Sequence, residues 1–216
     1  MTRSTRGVCA PLRPARGLAV AALAALVLAP AIAGAQATGD AARGEAAFAA
    51  KACARCHRPG GQGGPGPALE ALRRPQGAWE LAGRMWNHAP GMFTLLTQEG
   101  LAWPQISAAE MGDLMAYLGA QPARDPAPDL LRGQLTLIAK GCLKCHAFRR
   151  EGGRLGPDLA APRAVYRAPA AWAAAMWTHT PRMAAAALER GIVYPRFTGA
   201  ELTNLVGFLA GGRGAP

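Results

Sequence analysis

Cysteine and histidine are scarce in this chain. Among 216 residues there are five cysteines and four histidines. Most of them fall in two copies of one pattern, Cys53-Ala54-Arg55-Cys56-His57 and Cys142-Leu143-Lys144-Cys145-His146. Cys9 lies before an amino-terminal apolar run, so no cysteine remains for a structural disulfide or a further thiolate ligand. Acidic residues are few: 13 Asp and Glu stand against 24 Lys and Arg, a formal charge of +11. Alternation of apolar and polar residues is nowhere sustained, which excludes a significant sheet and leaves an all-α chain. The apolar run over residues 17–29 is short for a full membrane span.

That run has the context of an export signal. Arg3, Arg6, Arg13 and Arg16 precede it with no acid among them, and Ala33-Gly34-Ala35 and Ala35-Gln36-Ala37 follow. We read residues 1–37 as a Sec-type signal peptide, cleaved after Ala35 or Ala37, which sends the protein to the periplasm. A membrane association follows only if the segment is retained. Cys9 is misplaced for a lipoprotein and leaves with the signal. Without the four arginines the charge is 11 − 4 = +7. A basic face suits a partner with an acidic docking surface. Nucleic acid is a poor partner for an exported chain.

C-x-x-C-H is the attachment signature of c-type haem: the thiols add across two vinyl groups and the histidine binds the iron. A lone C-x-x-C also suits a redox dithiol or half of a zinc site. A Cys-Cys-His set is one ligand short for structural zinc, and here the pattern recurs in one larger context. Ala42 to Cys53 matches Leu131 to Cys142, and Gly66-Pro67-Ala68-Leu69 matches Gly156-Pro157-Asp158-Leu159. Met85-Trp86-Asn87-His88-Ala89-Pro90-Gly91-Met92 matches Met176-Trp177-Thr178-His179-Thr180-Pro181-Arg182-Met183, and Trp103-Pro104 matches Tyr194-Pro195. Such internal similarity predicts two units, 38–120 and 130–216, joined by a proline-rich extended linker over 121–129.

Each unit reads as the same helices. One runs from about Asp40 into the first motif. Another spans about 78–87. A last one opens with the capping box Ser107-Ala108-Ala109-Glu110, repeated as Thr198-Gly199-Ala200-Glu201. Met111, Leu114, Met115 and Leu118, and in turn Leu202, Leu205, Phe208 and Leu209, give it an apolar face. A unit of roughly 85 residues is small for an independent core, so the haem-free chain is expected to fold poorly.

On these motifs the chain resembles the class I cytochrome c family, in a tandem arrangement similar to cytochrome c4. The resemblance implies two small helical domains, each with one covalently bound haem c. It implies Cys53, Cys56, Cys142 and Cys145 as attachment points and His57 and His146 as proximal iron ligands. It also implies that Pro67 and Pro157 offer carbonyls to those imidazoles. Gly44 with Phe48, and Gly133 with Leu137, match the helix that crosses the C-terminal helix in this family.

The distal ligand is open. Met85, His88 and Met92, and Met176, His179 and Met183, fall on one helical stripe at i, i+3 and i+7. Met92 and Met183 have the family's spacing, with Pro90 breaking the helix before the ligand, and are preferred. His88 and His179 are the alternative, because each recurs; a histidine at a helix C-terminus is the plainer account of them. Trp86 and Trp177 read as core aromatics beside the haem. Lys51 and Lys140 either meet a partner's carboxylates at the haem edge or are solvated helix ends. The function implied is one-electron-per-haem transfer between redox partners, without catalysis. An electron-accepting subunit of a periplasmic dehydrogenase is the alternative, and a haem enzyme with a displaceable distal ligand a further one.

Overall fold

The computed structural model describes residues 39–61, 64–161 and 165–211. The signal-peptide reading of residues 1–37 lies outside them. The described residues form seven α-helices, short 3-10 turns and one minimal hairpin, a mostly helical fold. None of these helices is long and apolar enough to cross a membrane.

α1 (Ala41–Ala50) starts where Asp40 accepts the Arg43 amide at 2.8 Å, and its alanines carry the helix with little side-chain entropy to lose. It crosses α4 (Ala108–Tyr117), which lies after the short α2 (Leu69–Leu72) and the long α3 (Ala78–Gln98). The crossing is close because Gly44 has no side chain: a Cβ there would stand 2.0 Å from the Asp113 carbonyl oxygen. Phe48 packs on Tyr117 beside it, with ring centroids 5.5 Å apart. In the second half α5 (Leu130–Ala139) crosses α7 (Glu201–Gly211) in the same way. A Cβ on Gly133 would lie 2.1 Å from the Asn204 oxygen, and Leu137 is buried where Phe48 stands in the first half.

α3 and α6 (Pro169–Glu189) pack against each other and join the two halves of the described residues into one unit. Their length departs from expectation. The helix predicted over 78–87 continues to Gln98, straight through Pro90, and its counterpart runs through Pro181. An interior proline removes one helical hydrogen bond and usually breaks the helix. Here the residue before each proline is clamped in the α3–α6 contact, Ala89 and Thr180 both being 1% exposed. Thr180 also bonds back to the Met176 carbonyl through Oγ1 at 2.9 Å. Tertiary packing thus holds the backbone helical where the local sequence argues against it.

Two further expectations need correction. Residues 121–129 are not extended throughout: Pro122–Arg124 form a 3-10 turn, and the chain is pinned to the first half. Gln121 donates to the Gln76 carbonyl at 2.7 Å, and the Asp125 carboxylate accepts the Trp79 amide at 3.0 Å at the start of α3. An acidic side chain there satisfies orphan amides that Gly77 cannot reach. The second capping box is offset, because Gly199 takes φ +51 and delays α7 to Glu201. The only strands among the described residues, β1 (Ala147–Phe148) and β2 (Glu151–Gly152), are two residues each.

Candidate functional site

Both C-x-x-C-H motifs adopt one geometry. After α1, Ala52 turns the chain at φ 66, and Cys53–Arg55 form a single 3-10 turn. After α5, Gly141 does so at φ 71 before Cys142–Lys144. In a 3-10 turn residues i and i+3 eclipse, so the two cysteines of each motif stand on one side. The His57 amide closes the first turn on the Cys53 carbonyl at 3.0 Å, and His146 does the same on Cys142 at 2.9 Å. All four cysteines are free thiols and half-buried. Burial pushes the Cys53 and Cys142 thiols up to about 11. That is opposite to the lowered value of a reactive redox dithiol. Among the described residues no three His, Cys, Asp or Glu side chains converge as a bare metal ion requires.

The imidazoles are fixed from behind. His57 Nδ1 lies 3.1 Å from the Pro67 carbonyl, and His146 Nδ1 lies 3.0 Å from that of Pro157. A carbonyl only accepts, so Nδ1 carries the proton and Nε2 keeps its lone pair for a metal. The preceding glycine sets this approach: a Cβ on Gly66 would reach within 2.5 Å of His57 Nδ1, and one on Gly156 within 2.4 Å of His146 Nδ1. Two unpaired thiols and a ring with a free Nε2, together on one turn, fit covalent attachment of a c-type haem at each motif.

The connecting loops differ. In the first half Gly60 takes φ 65, and its amide donates to Glu70 at 3.0 Å. In the second, Arg149 and Arg150 both adopt positive φ, at 54 and 70. Such a conformation is costly for side chains of this size. The Asp158 carboxylate offsets it by accepting both amides, at 3.0 and 2.6 Å. The Ala160 amide, then those of Arg150 and Arg149, hold the Asp158 carboxyl below its ordinary value.

The stripe of distal candidates lies along α3 and α6. Met85, Met92, Met176 and Met183 are half-buried and pack against the core. His88 and His179 are exposed and lie mid-helix, not at a C-terminus as expected, because neither helix ends at its proline. Each bonds through Nδ1 to the carbonyl one turn back, His88 to Arg84 at 2.7 Å and His179 to Ala175 at 2.6 Å. Lys51 and Lys140 are not free helix ends, because each pairs within the chain. Lys51 Nζ meets Glu110 at 2.9 Å and the Gln105 carbonyl at 2.7 Å, and Lys140 Nζ meets Glu201 at 2.8 Å. The Lys51 ammonium, with the Ser107 amide, brings the Glu110 carboxyl down to about 2. Burial opposes the Glu201 charge, but Lys140 together with the Thr198 amide and hydroxyl outweighs it and lowers that carboxyl as well.

Sequence reasoning missed the role of the tryptophans. Trp86 and Trp177 do not simply fill their own halves. The Trp86 indole donates to the Pro195 carbonyl at 2.6 Å, and that of Trp177 to the Pro104 carbonyl at 2.9 Å. Trp86 stacks on Tyr194 at 4.9 Å and Trp177 on Trp103 at 4.1 Å. The repeat of Trp86 with Trp177 and of Trp103-Pro104 with Tyr194-Pro195 was the available signal.

No curated protein and no solved structure matches the chain. Residues 41–121 match the family model described as Cytochrome c, so this part of the chain is similar to a class I c-type cytochrome, a family of haem-binding electron-transfer proteins.

Proposed function

We propose that the chain is an exported dihaem cytochrome c that carries electrons between redox partners, built as two tandem domains over 38–120 and 130–216. The observation that carries this reading is the duplicated site: thiols on one side of a 3-10 turn, then an imidazole tied through Nδ1 to a prolyl carbonyl 3.1 or 3.0 Å away. Haem iron held there accepts and returns one electron. Cys53 and Cys56, and Cys142 and Cys145, attach the group. His57 and His146 present Nε2, and Pro67 and Pro157 fix the ring plane and raise the ligand's basicity. The half-buried sulfurs of Met92 and Met183 close the far side. The excess of Lys and Arg over acids favours a partner with an acidic surface.

One observation favours a second reading of the distal ligand. The Nδ1 contacts of His88 and His179 leave Nε2 unprotonated, as a ligating histidine requires. The ferric spectrum separates the two. Methionine ligation gives a sulfur-to-iron band at the red end that Met92→Ala or Met183→Ala reduces by half, while His88→Ala leaves it. The overall reading is tested by mass: the exported protein should carry two haems that survive denaturation. A mass without haem overturns it, and rapid carbon monoxide binding by the reduced protein at neutral pH overturns the carrier role.

A further inference from the structure

Between α3 and α4, and again between α6 and α7, a short segment leaves the helix that carries the distal stripe. In the first half it runs past Trp103, Pro104 and Gln105. Trp103 packs edge-on against Phe93, next to Met92, with centroids 5.7 Å apart. The Gln105 carbonyl is held by Lys51, two residues before Cys53. The segment therefore bridges the haem-attachment turn and the distal stripe. In the second half the Tyr194 hydroxyl lies 3.5 Å from Thr180 Oγ1, between His179 and Met183.

Neither segment is held chiefly by its own half. Trp177, on α6, donates to Pro104 and stacks on Trp103. Trp103 in turn donates through Nε1 to the Trp177 carbonyl at 3.0 Å. That acceptor is open because Pro181, four residues on, has no N–H to offer it. The interior proline thus supplies an acceptor for the opposite half. In the other direction Trp86 donates to Pro195, and Asn87 spends both ends of its amide on one residue. Its Nδ2 donates to the Phe197 carbonyl at 2.7 Å, and its Oδ1 accepts the Phe197 amide at 2.8 Å.

We propose that Trp177 positions the distal wall of the first haem site, and that Trp86 with Asn87 positions the distal wall of the second, so that each half sets the far side of the other's haem. This rests on the haem reading above. These are positioning residues, and their polar atoms are directed across the contact, so removing those atoms takes little from their own half. Two mild substitutions test the crossing in the full-length ferric holoprotein. Haem methyl resonances are assigned to each haem by Overhauser contacts to Cys53 and Cys56 or to Cys142 and Cys145. Asn87→Ala should shift the resonances and potential of the second haem more than those of the first. Trp177→Phe, which keeps a ring in the stack, should do the reverse. If each substitution moves chiefly the haem of its own half, or neither moves any, the proposal is overturned. Hydrogen exchange supplies a readout that needs no haem. Asn87→Ala should speed exchange of the Phe197 amide, and unchanged protection overturns the clamp. A chain that carries no haem by mass yet loses that protection fails the functional reading and leaves the cross-half contact standing.

Discussion

Where α1 crosses α4, the Asp113 carboxylate takes the Asp40 amide at 2.7 Å and the Arg43 guanidinium at 2.8 and 2.9 Å. Where α5 crosses α7, Asn204 stands in the same place and takes the Asp129 amide at 2.9 Å, while Arg132 pairs with Asp129 instead. The first crossing is fastened by charge and the second by a neutral amide. Beneath both lies a glycine with a backbone carbonyl about where a Cβ would be. The loops repeat the contrast: Gly60 takes a left-handed turn freely, whereas Arg149 and Arg150 need Asp158 to hold theirs. Positions fixed by backbone sterics recur, and positions that only satisfy a donor drift in chemistry.

The largest expected effect strikes what the halves share. Gly44→Ala and Gly133→Ala each place a methyl against a carbonyl oxygen of a packed helix, at 2.0 and 2.1 Å, where no flexible side chain can yield. Each crossing must open, at a cost of about 3 kcal/mol. Denaturant unfolding of the two variants should show similar losses. A marked difference would mean that the crossings are not equivalent, and a loss below about 1 kcal/mol would mean that the helices slide apart easily.

The next effect separates them. The Arg43 guanidinium, then the Asp40 amide, holds the Asp113 carboxyl below its ordinary 3.8. A folded value below the unfolded one gives stability that is full above about pH 4 and is lost as the pH falls through the folded value. The Asn204 crossing has no such group. Asp113→Asn should therefore lower stability at neutral pH and flatten the acid limb of the stability curve. Glu110, held at about 2, and Glu201 keep part of that limb in both halves. An acid limb unchanged in Asp113→Asn would remove the charge-based distinction.

Much of this plan is legible in the sequence, for reasons that are local. The C-x-x-C-H turns, the glycines at the crossings, the Asp40 and Ser107 caps and the apolar face of α4 depend on spacings within one element. The passage of α3 and α6 through Pro90 and Pro181 does not. The local rule for proline says stop, and only packing around Ala89 and Thr180 overrules it. The pairing of Lys51 with Glu110 and of Lys140 with Glu201, and the reach of Trp86 and Trp177 across the molecule, depend on elements brought together from 50 or more residues away. Repetition marks such residues as needed, but it does not say what they touch.

The smallest effect sharpens the comparison at the caps. Ser107 accepts the Glu110 amide at 3.2 Å, and Glu110 returns the bond to the Ser107 amide at 2.8 Å, a closed reciprocal pair. In the second half Glu201 accepts the Thr198 amide at 2.8 Å, but the Glu201 amide goes to the Thr198 carbonyl at 3.0 Å, because Gly199 has turned to positive φ. The Thr198 hydroxyl is spent on the same carboxylate at 3.1 Å. Ser107→Ala removes an acceptor from a helical amide and should cost about 1 kcal/mol. Thr198→Ala removes only a third donor to a carboxylate that Lys140 and the Thr198 amide already satisfy, so it should cost a few tenths of a kcal/mol, roughly the value of an exposed pair. Thermal melts at neutral pH can rank the two, and a larger loss for Thr198→Ala would mean that the second cap closes in solution as the first one does.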